Sequence, residues 1–180
     1  MDIVSAMILS IVIKAISAVV EIIIQMLITN EVGVSEYGNY TFFVSLIEGA
    51  YYVLFSGSIK LNTFYLSTPS SSLTDFKKKY TLRFVLPVTA VIIACFAVMR
   101  NPFGVLSGII LLIYYLAFDT SSVFFSRGYQ LPALLGEYLF GRIVLLIGVL
   151  TVIKLNWATG LVLLGLYGVQ FVTMLACYAS

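Results

Sequence analysis

The chain has 180 residues, 61% of them hydrophobic and 10% charged, with a formal net charge of +2 and no histidine. A mean hydropathy of +1.08 leaves too little polar surface to clothe a water-soluble fold, so composition points to an integral membrane protein and excludes disordered and fibrous classes. Without histidine, and with Cys95 and Cys177 buried in apolar runs, zinc sites, Ser-His-Asp triads and Cys-His nucleophiles cannot be assembled.

A bilayer crossing takes about 20 residues, and the expectation is an all-α polytopic membrane protein, a single bundle of about six transmembrane helices over residues 1–180. The first predicted helix runs from about Ile3 to Ile28; it is too long for a signal-peptide apolar region, is interrupted by Lys14 and has no basic stretch before it, so it is expected to stay in the mature protein. The acidic stretch from Asn30 to Gly38 reads as a short external hairpin loop whose glycines and asparagine let the chain reverse. A second helix is placed from about Asn39 to Leu66, with Gly57 as a soft point. The segment from Ser67 to Asp75, followed by Lys77, Lys78, Lys79 and Arg83, is the most polar in the chain and reads as a solvent loop.

The third helix spans about Tyr80 to Val98, with a kink expected at Pro87 because neighbouring helices must satisfy the carbonyl it frees. Arg100-Asn101-Pro102 connects it to a fourth helix, about Phe103 to Phe125, and the stretch from Arg127 to Pro132 leads to a fifth, about Ala133 to Ile153. Connections this short make neighbours antiparallel. Lys154-Leu155-Asn156-Trp157 suits the headgroup level, and the last helix runs from about Ala158 to Tyr178. Basic residues in loops mark the cytoplasmic side. They concentrate after the second and fourth helices, whereas the opposite loops carry Arg100 and Lys154 with Glu31 and Glu36, which places both termini in the cytoplasm.

Ionisable groups at membrane depth cost several kcal/mol and normally face a bundle interior, a hydrated cavity or one another. Here they are Lys14, Glu21, Glu48, Lys60, Asp119, Glu137 and Arg142. At about 100° per residue, Ser10, Lys14, Ser17, Glu21 and Gln25 share one face of the first helix. Two readings stand: the stripe lines a hydrated route, or its charges pair with other helices while its serines permit close packing. Lys14 and Glu21 are about 10 Å apart along the axis, too far for a simple internal pair. Gly108, Tyr115, Asp119, Ser122 and Ser126 form a second stripe on the fourth helix. Glu137 and Arg142 lie about 140° apart by α-helical count and seek different partners. Arg142 could bind phosphate bidentately or form a structural pair with Asp119 or Glu48. Glu48 reads better as a helix-packing hydrogen bond than as an ion site, and Lys60 snorkels. Tyr37, Tyr40, Tyr51, Tyr52, Tyr114 and Tyr115 invite a sugar-stacking reading, but interface belts and lipid-facing packing explain most of them better.

The stretch Ile28 to Phe42, with Val32-Gly33 followed by Tyr37-Gly38 and an aromatic-rich run, resembles the first loop and second-helix entry of the polysaccharide-export flippases. Phe125-Ser126-Arg127-Gly128-Tyr129-Gln130 is similar to their cytoplasmic Arg-Gly connection, and Gly141-Arg142-Ile143-Val144-Leu145-Leu146 to their arginine-then-aliphatic fifth helix. The family's common leucine before the first glycine is replaced by Val32. The resemblance implies a member of the multidrug, oligosaccharidyl-lipid and polysaccharide flippase superfamily, and a transporter of undecaprenyl-diphosphate-linked oligosaccharide in the cytoplasmic membrane. It also implies half of a two-bundle fold, so the expected partner besides the bilayer and the lipid-linked oligosaccharide is a C-terminal half or a second copy. Lys14 and Arg142 would receive the diphosphate, and Glu21 and Asp119 would tune or couple them, with Ser10, Ser17 and Gln25 lining the cavity. A cation-coupled drug antiporter of the same superfamily, relying on Glu21, Glu48 and Asp119, and a non-transporting membrane scaffold are the competing readings. No enzyme activity, cofactor, metal or nucleic acid is expected from these residues.

Overall fold

Apolar segments without water to bond their peptide groups satisfy them internally by coiling into helices, and helix is the only regular structure among the described residues. The computed structural model describes residues 3–55, 57, 79–126 and 129–179, and their side chains except those of residues 3–7, 126, 130, 133, 137 and 179. Its elements are α1 (Ile3–Glu31), α2 (Val34–Leu54), α3 (Leu86–Val98) entered through a π-helical turn at Thr81–Val85, α4 (Pro102–Ser126), α5 (Gln130–Leu134) running through a π-helical segment at Leu135–Phe140 into α6 (Gly141–Lys154), and α7 (Gly160–Ala179). Among the described residues, four spans are long and apolar enough to cross a bilayer: Ile8–Glu31, Thr81–Val98, Pro102–Phe125 and Gly160–Tyr178. Neither α2, diluted by Glu36, Asn39, Glu48 and its tyrosines, nor the run from α5 to α6, which holds Glu137 and Arg142, is among them.

The expected hairpin loop from Asn30 to Gly38 shrinks to Val32 and Gly33. Asn30 and Glu31 finish α1, and Ser35 to Gly38 are already helical. Gly33 has φ −58° and ψ 150°, an ordinary extended conformation, so the reversal does not draw on glycine's special freedom. Glu36 in the first turn of α2 favours helix there because its charge meets the positive end of the helix dipole. The polar loop from Ser67 to Asp75, Lys60, Lys77, Lys78, Arg127 and Gly128 lie outside the described residues. Pro87 has no N–H to give to Arg83, and the wide π turn immediately before it, Thr81–Val85, is where the helix absorbs that lost bond.

Two connections use the same left-handed stop. Arg100 and Asn156 adopt φ of 52° and 56°. Arg100 N donates to Ala97 O and Asn101 N to Phe96 O, both at 3.0 Å; Asn156 N donates to Ile153 O at 3.0 Å and Trp157 N to Val152 O at 2.9 Å. These paired bonds are Schellman motifs that satisfy the last carbonyls of α3 and α6. Asn101 then starts the next helix, its Oδ1 accepting the N–H of Gly104 at 3.1 Å with Pro102 in the first helical position.

Register follows from the contacts. A Cβ on Gly104 or Gly108 would collide with Phe96 or Ile93, so α4 runs antiparallel to α3. Gly136, Gly141 and Gly148 meet Tyr178, Gln170 and Leu166 in that order, so the α5–α6 run is antiparallel to α7. Phe43 stacks on Phe103 and Tyr51 packs on Tyr114, while Phe171 packs on Tyr114 and Tyr178 stacks on Phe124. Thus α2, α4 and α7 run parallel as the centre, with α3 and α6 beside them and α1 lying along α6. Tyr40, Tyr51, Tyr114 and Tyr115 are buried in this centre, which corrects their assignment to interface belts. Tilted ring contacts such as Tyr51–Tyr114 at 4.6 Å and Phe55–Tyr115 at 5.2 Å hold them between helices.

Candidate functional site: a polar cavity at mid-depth

The same register brings polar groups from four helical runs together. Glu48 and Tyr52 of α2, Tyr114 and Phe118 of α4, Tyr138 and Arg142 of the α5–α6 run, and Tyr167, Gln170, Phe171 and Met174 of α7 line a cavity of about 250 Å³. Gln170 sits about 15 Å along α7 from its start at 1.5 Å per residue, which is half the thickness of a hydrocarbon core of about 30 Å.

On α1 the polar stripe is turned inward. Ser17 is buried, Ser10, Glu21 and Gln25 are half-buried, and Ala15 and Ile22 on the other side are exposed. The side chain of Met7 lies outside the described residues. Along this face Lys14 comes beside Tyr138 and Glu21 beside Arg142, so α1 and the α5–α6 run travel in the same direction. Arg142 Nη1 forms an ion pair with Glu21 Oε2. Gln25 Nε2 donates to Glu21 Oε1 at 3.2 Å, and the Tyr37 hydroxyl donates to Gln25 Oε1 at 3.3 Å. The result is a chain of polar side chains from the cavity toward the α1–α2 connection. Lys14, although exposed, holds its ammonium 5.3 Å from the Tyr138 ring centroid, close enough for cation–π attraction.

Of the two readings of Arg142, phosphate binding or a structural pair with Asp119 or Glu48, the pair is present but with Glu21 as the partner. Glu48 instead accepts the Tyr167 hydroxyl at 2.8 Å, the helix-packing bond expected of it, and also lines the cavity. Asp119 is not among the cavity-lining residues. Two other members of its stripe lie against the third helical run: Gly108 abuts Ile93 of α3, and the Tyr115 hydroxyl is 3.3 Å from Thr81 Oγ1 in the π turn before it. The α-helical angle between Glu137 and Arg142 does not apply, because the π-helical Leu135–Phe140 intervenes.

Among the described residues the cavity wall therefore holds one guanidinium, Arg142, and one carboxyl group, Glu48, while Glu21 reaches the site only through its ion pair with Arg142. Its α7 wall was missed in the sequence because that helix has no ionisable residue except Tyr and Cys; the available signal was an amide, Gln170, in the middle of an apolar run. Gln170 is 3% exposed, and its Nε2 has no hydrogen-bond partner among the described residues. No family model, curated protein or solved structure matches the chain.

Proposed function

We propose that this protein is a membrane transporter of the flippase kind, whose central cavity receives the polar head of a lipid-linked oligosaccharide and passes it across the cytoplasmic membrane by alternating access. In this reading the helical runs make six crossings with both termini in the cytoplasm, as the loop charges favour. The observation that carries the reading is the polar cavity at mid-depth with Arg142 held by Glu21, since alternating-access transporters keep their binding sites near the midplane. A diphosphate entering the cavity exchanges for the Glu21 carboxylate on Arg142, and a guanidinium accepts either anion bidentately. Lys14, beside Tyr138, supplies the second cation at the cavity edge. Its exposure at membrane depth is relieved by a second helical bundle, a C-terminal half or another copy of the chain.

The test is complementation of a strain lacking its own flippase, with immunoblots for abundance. Arg142→Ala and Lys14→Ala should each impair export of lipid-linked sugar at near-normal abundance, and Arg142→Lys should rescue only in part. Wild-type export by both alanine variants would reduce these residues to packing groups and favour a membrane scaffold. The Glu48 carboxyl in the cavity wall favours one other reading, a cation-coupled antiporter of the same superfamily. It requires that Glu48→Gln abolish transport while Arg142→Ala does not.

A further inference from the structure

The cavity contains more hydrogen-bonding chemistry than an anion needs. Glu48, joined to the Tyr167 hydroxyl at 2.8 Å, presents a carboxyl that repels phosphate and accepts from neutral hydroxyls. Gln170 contributes a buried amide whose Nε2 has no partner among the described residues, an expensive state for a group taken out of water. The exposed ring of Tyr52 borders the same space as the partly buried Tyr138. A volume of about 250 Å³ has room for about eight waters at ~30 Å³ each. That suits a single six-membered ring with its substituents, not a chain of rings.

We infer that Gln170, with the Glu48–Tyr167 pair and Tyr52, forms a subsite for one neutral, hydroxyl- or carbonyl-bearing ring beside Arg142. Gln170 donates to a ring oxygen substituent, Glu48 accepts from a hydroxyl, and the tyrosine offers its face to the apolar side of the ring. Gln170 is then the specificity-determining residue: it rewards an oxygen acceptor and leaves its amide unpaired against an apolar head. The inference rests on reading the cavity as a substrate chamber, but it does not require the ligand to carry phosphate.

The experiment uses the whole chain in lipid nanodiscs, as wild type, Gln170→Met and Gln170→Leu. Thermal unfolding without ligand is measured first. Binding of methyl β-D-glucoside, methyl N-acetyl-β-D-glucosaminide and myo-inositol is then followed by saturation-transfer NMR titration, and binding of inorganic pyrophosphate, which has no carbon-bound protons, by phosphorus NMR line broadening. Replacing an unpaired buried amide with an apolar side chain of similar volume should keep or raise the unfolding midpoint. Binding of at least one neutral ring should weaken about 5–10-fold, the loss of one hydrogen bond, with pyrophosphate binding unchanged. A lowered midpoint in both variants would make Gln170 a structural group and overturn the proposal, as would unaltered ring affinity or no ring binding by the wild type. Wild-type ring binding without pyrophosphate binding would sink the diphosphate reading and leave this inference standing.

Discussion

Under the transporter proposal an anion competes with Glu21 for Arg142, and a double-mutant cycle measures the strength of the Glu21–Arg142 pair. Two unit charges 4 Å apart attract by about 4 kcal/mol at an effective dielectric near 20. The two side chains are 27% and 33% exposed, so solvent screening and lost hydration remove half or more, leaving a coupling of about 1–2 kcal/mol. Arg142→Met leaves Glu21 with only Gln25, and Glu21→Gln leaves the guanidinium at the cavity without its counter-charge. Each should cost about 2–3 kcal/mol, below the range for a fully buried pair because of that exposure. The double variant should lose 1–2 kcal/mol less than the sum. Equilibrium unfolding in mixed micelles reports the three losses. The same pair predicts that Glu21→Gln binds pyrophosphate about 5–30-fold more tightly than wild type, because the anion no longer has to displace a carboxylate worth about 1–2 kcal/mol. A coupling below about 0.3 kcal/mol, or unchanged pyrophosphate affinity in Glu21→Gln, would refute the exchange of anions on Arg142.

Two further outcomes test the packing and the orientation. Gly160 N–H donates to Glu36 Oε2 at 2.8 Å, and a Cβ on Gly160 would lie 2.7 Å from the Glu36 carbonyl oxygen. Gly160→Ala should therefore cost about 1–3 kcal/mol as backbone is forced apart, against about 0.5–1 kcal/mol for Glu36→Gln, which removes one charge shared by the starts of α2 and α7; thermal unfolding that ranks them in reverse would contradict the close approach. On a Cys95→Ala, Cys177→Ala background, Ser35→Cys should react with an impermeant maleimide added to intact cells and Ser71→Cys should not. The opposite pattern would invert the membrane orientation.

Much of the helical organisation was legible because its causes are local. Apolar runs bounded by Asn101-Pro102 and by Lys154 to Trp157 define helix ends through capping chemistry within a few residues. The hairpin at Asn30 to Gly38 was misjudged for a related reason: glycine and asparagine signal turns on average, but Glu36 and the surrounding tyrosines continue α2, and only two residues are needed to reverse the chain. The 3.6-residue periodicity grouped Ser10, Lys14, Ser17, Glu21 and Gln25 on one face of α1, and all of these but the exposed Lys14 turn at least partly inward. On α4 the same periodicity grouped Gly108 and Tyr115, which lie against Ile93 and Thr81 rather than the cavity, since periodicity identifies a face but not what lies opposite it.

The sequence by itself determined the class of protein, because 61% hydrophobic residues and 10% charged admit few solvents other than a bilayer, and it determined where most helices start and stop. Only the tertiary structure decided the partners. Glu21 with Arg142, Glu48 with Tyr167 and Glu36 with Gly160 are joined across most of the chain, and each contact depends on how far two helices are rotated and slid against one another. The π-helical segment Leu135–Phe140 changes that rotation immediately before Arg142. Such angles are set by how all the rings and glycines between the helices pack at once, so Arg142 meets Glu21 through the packing of the bundle and not through any spacing written along the chain.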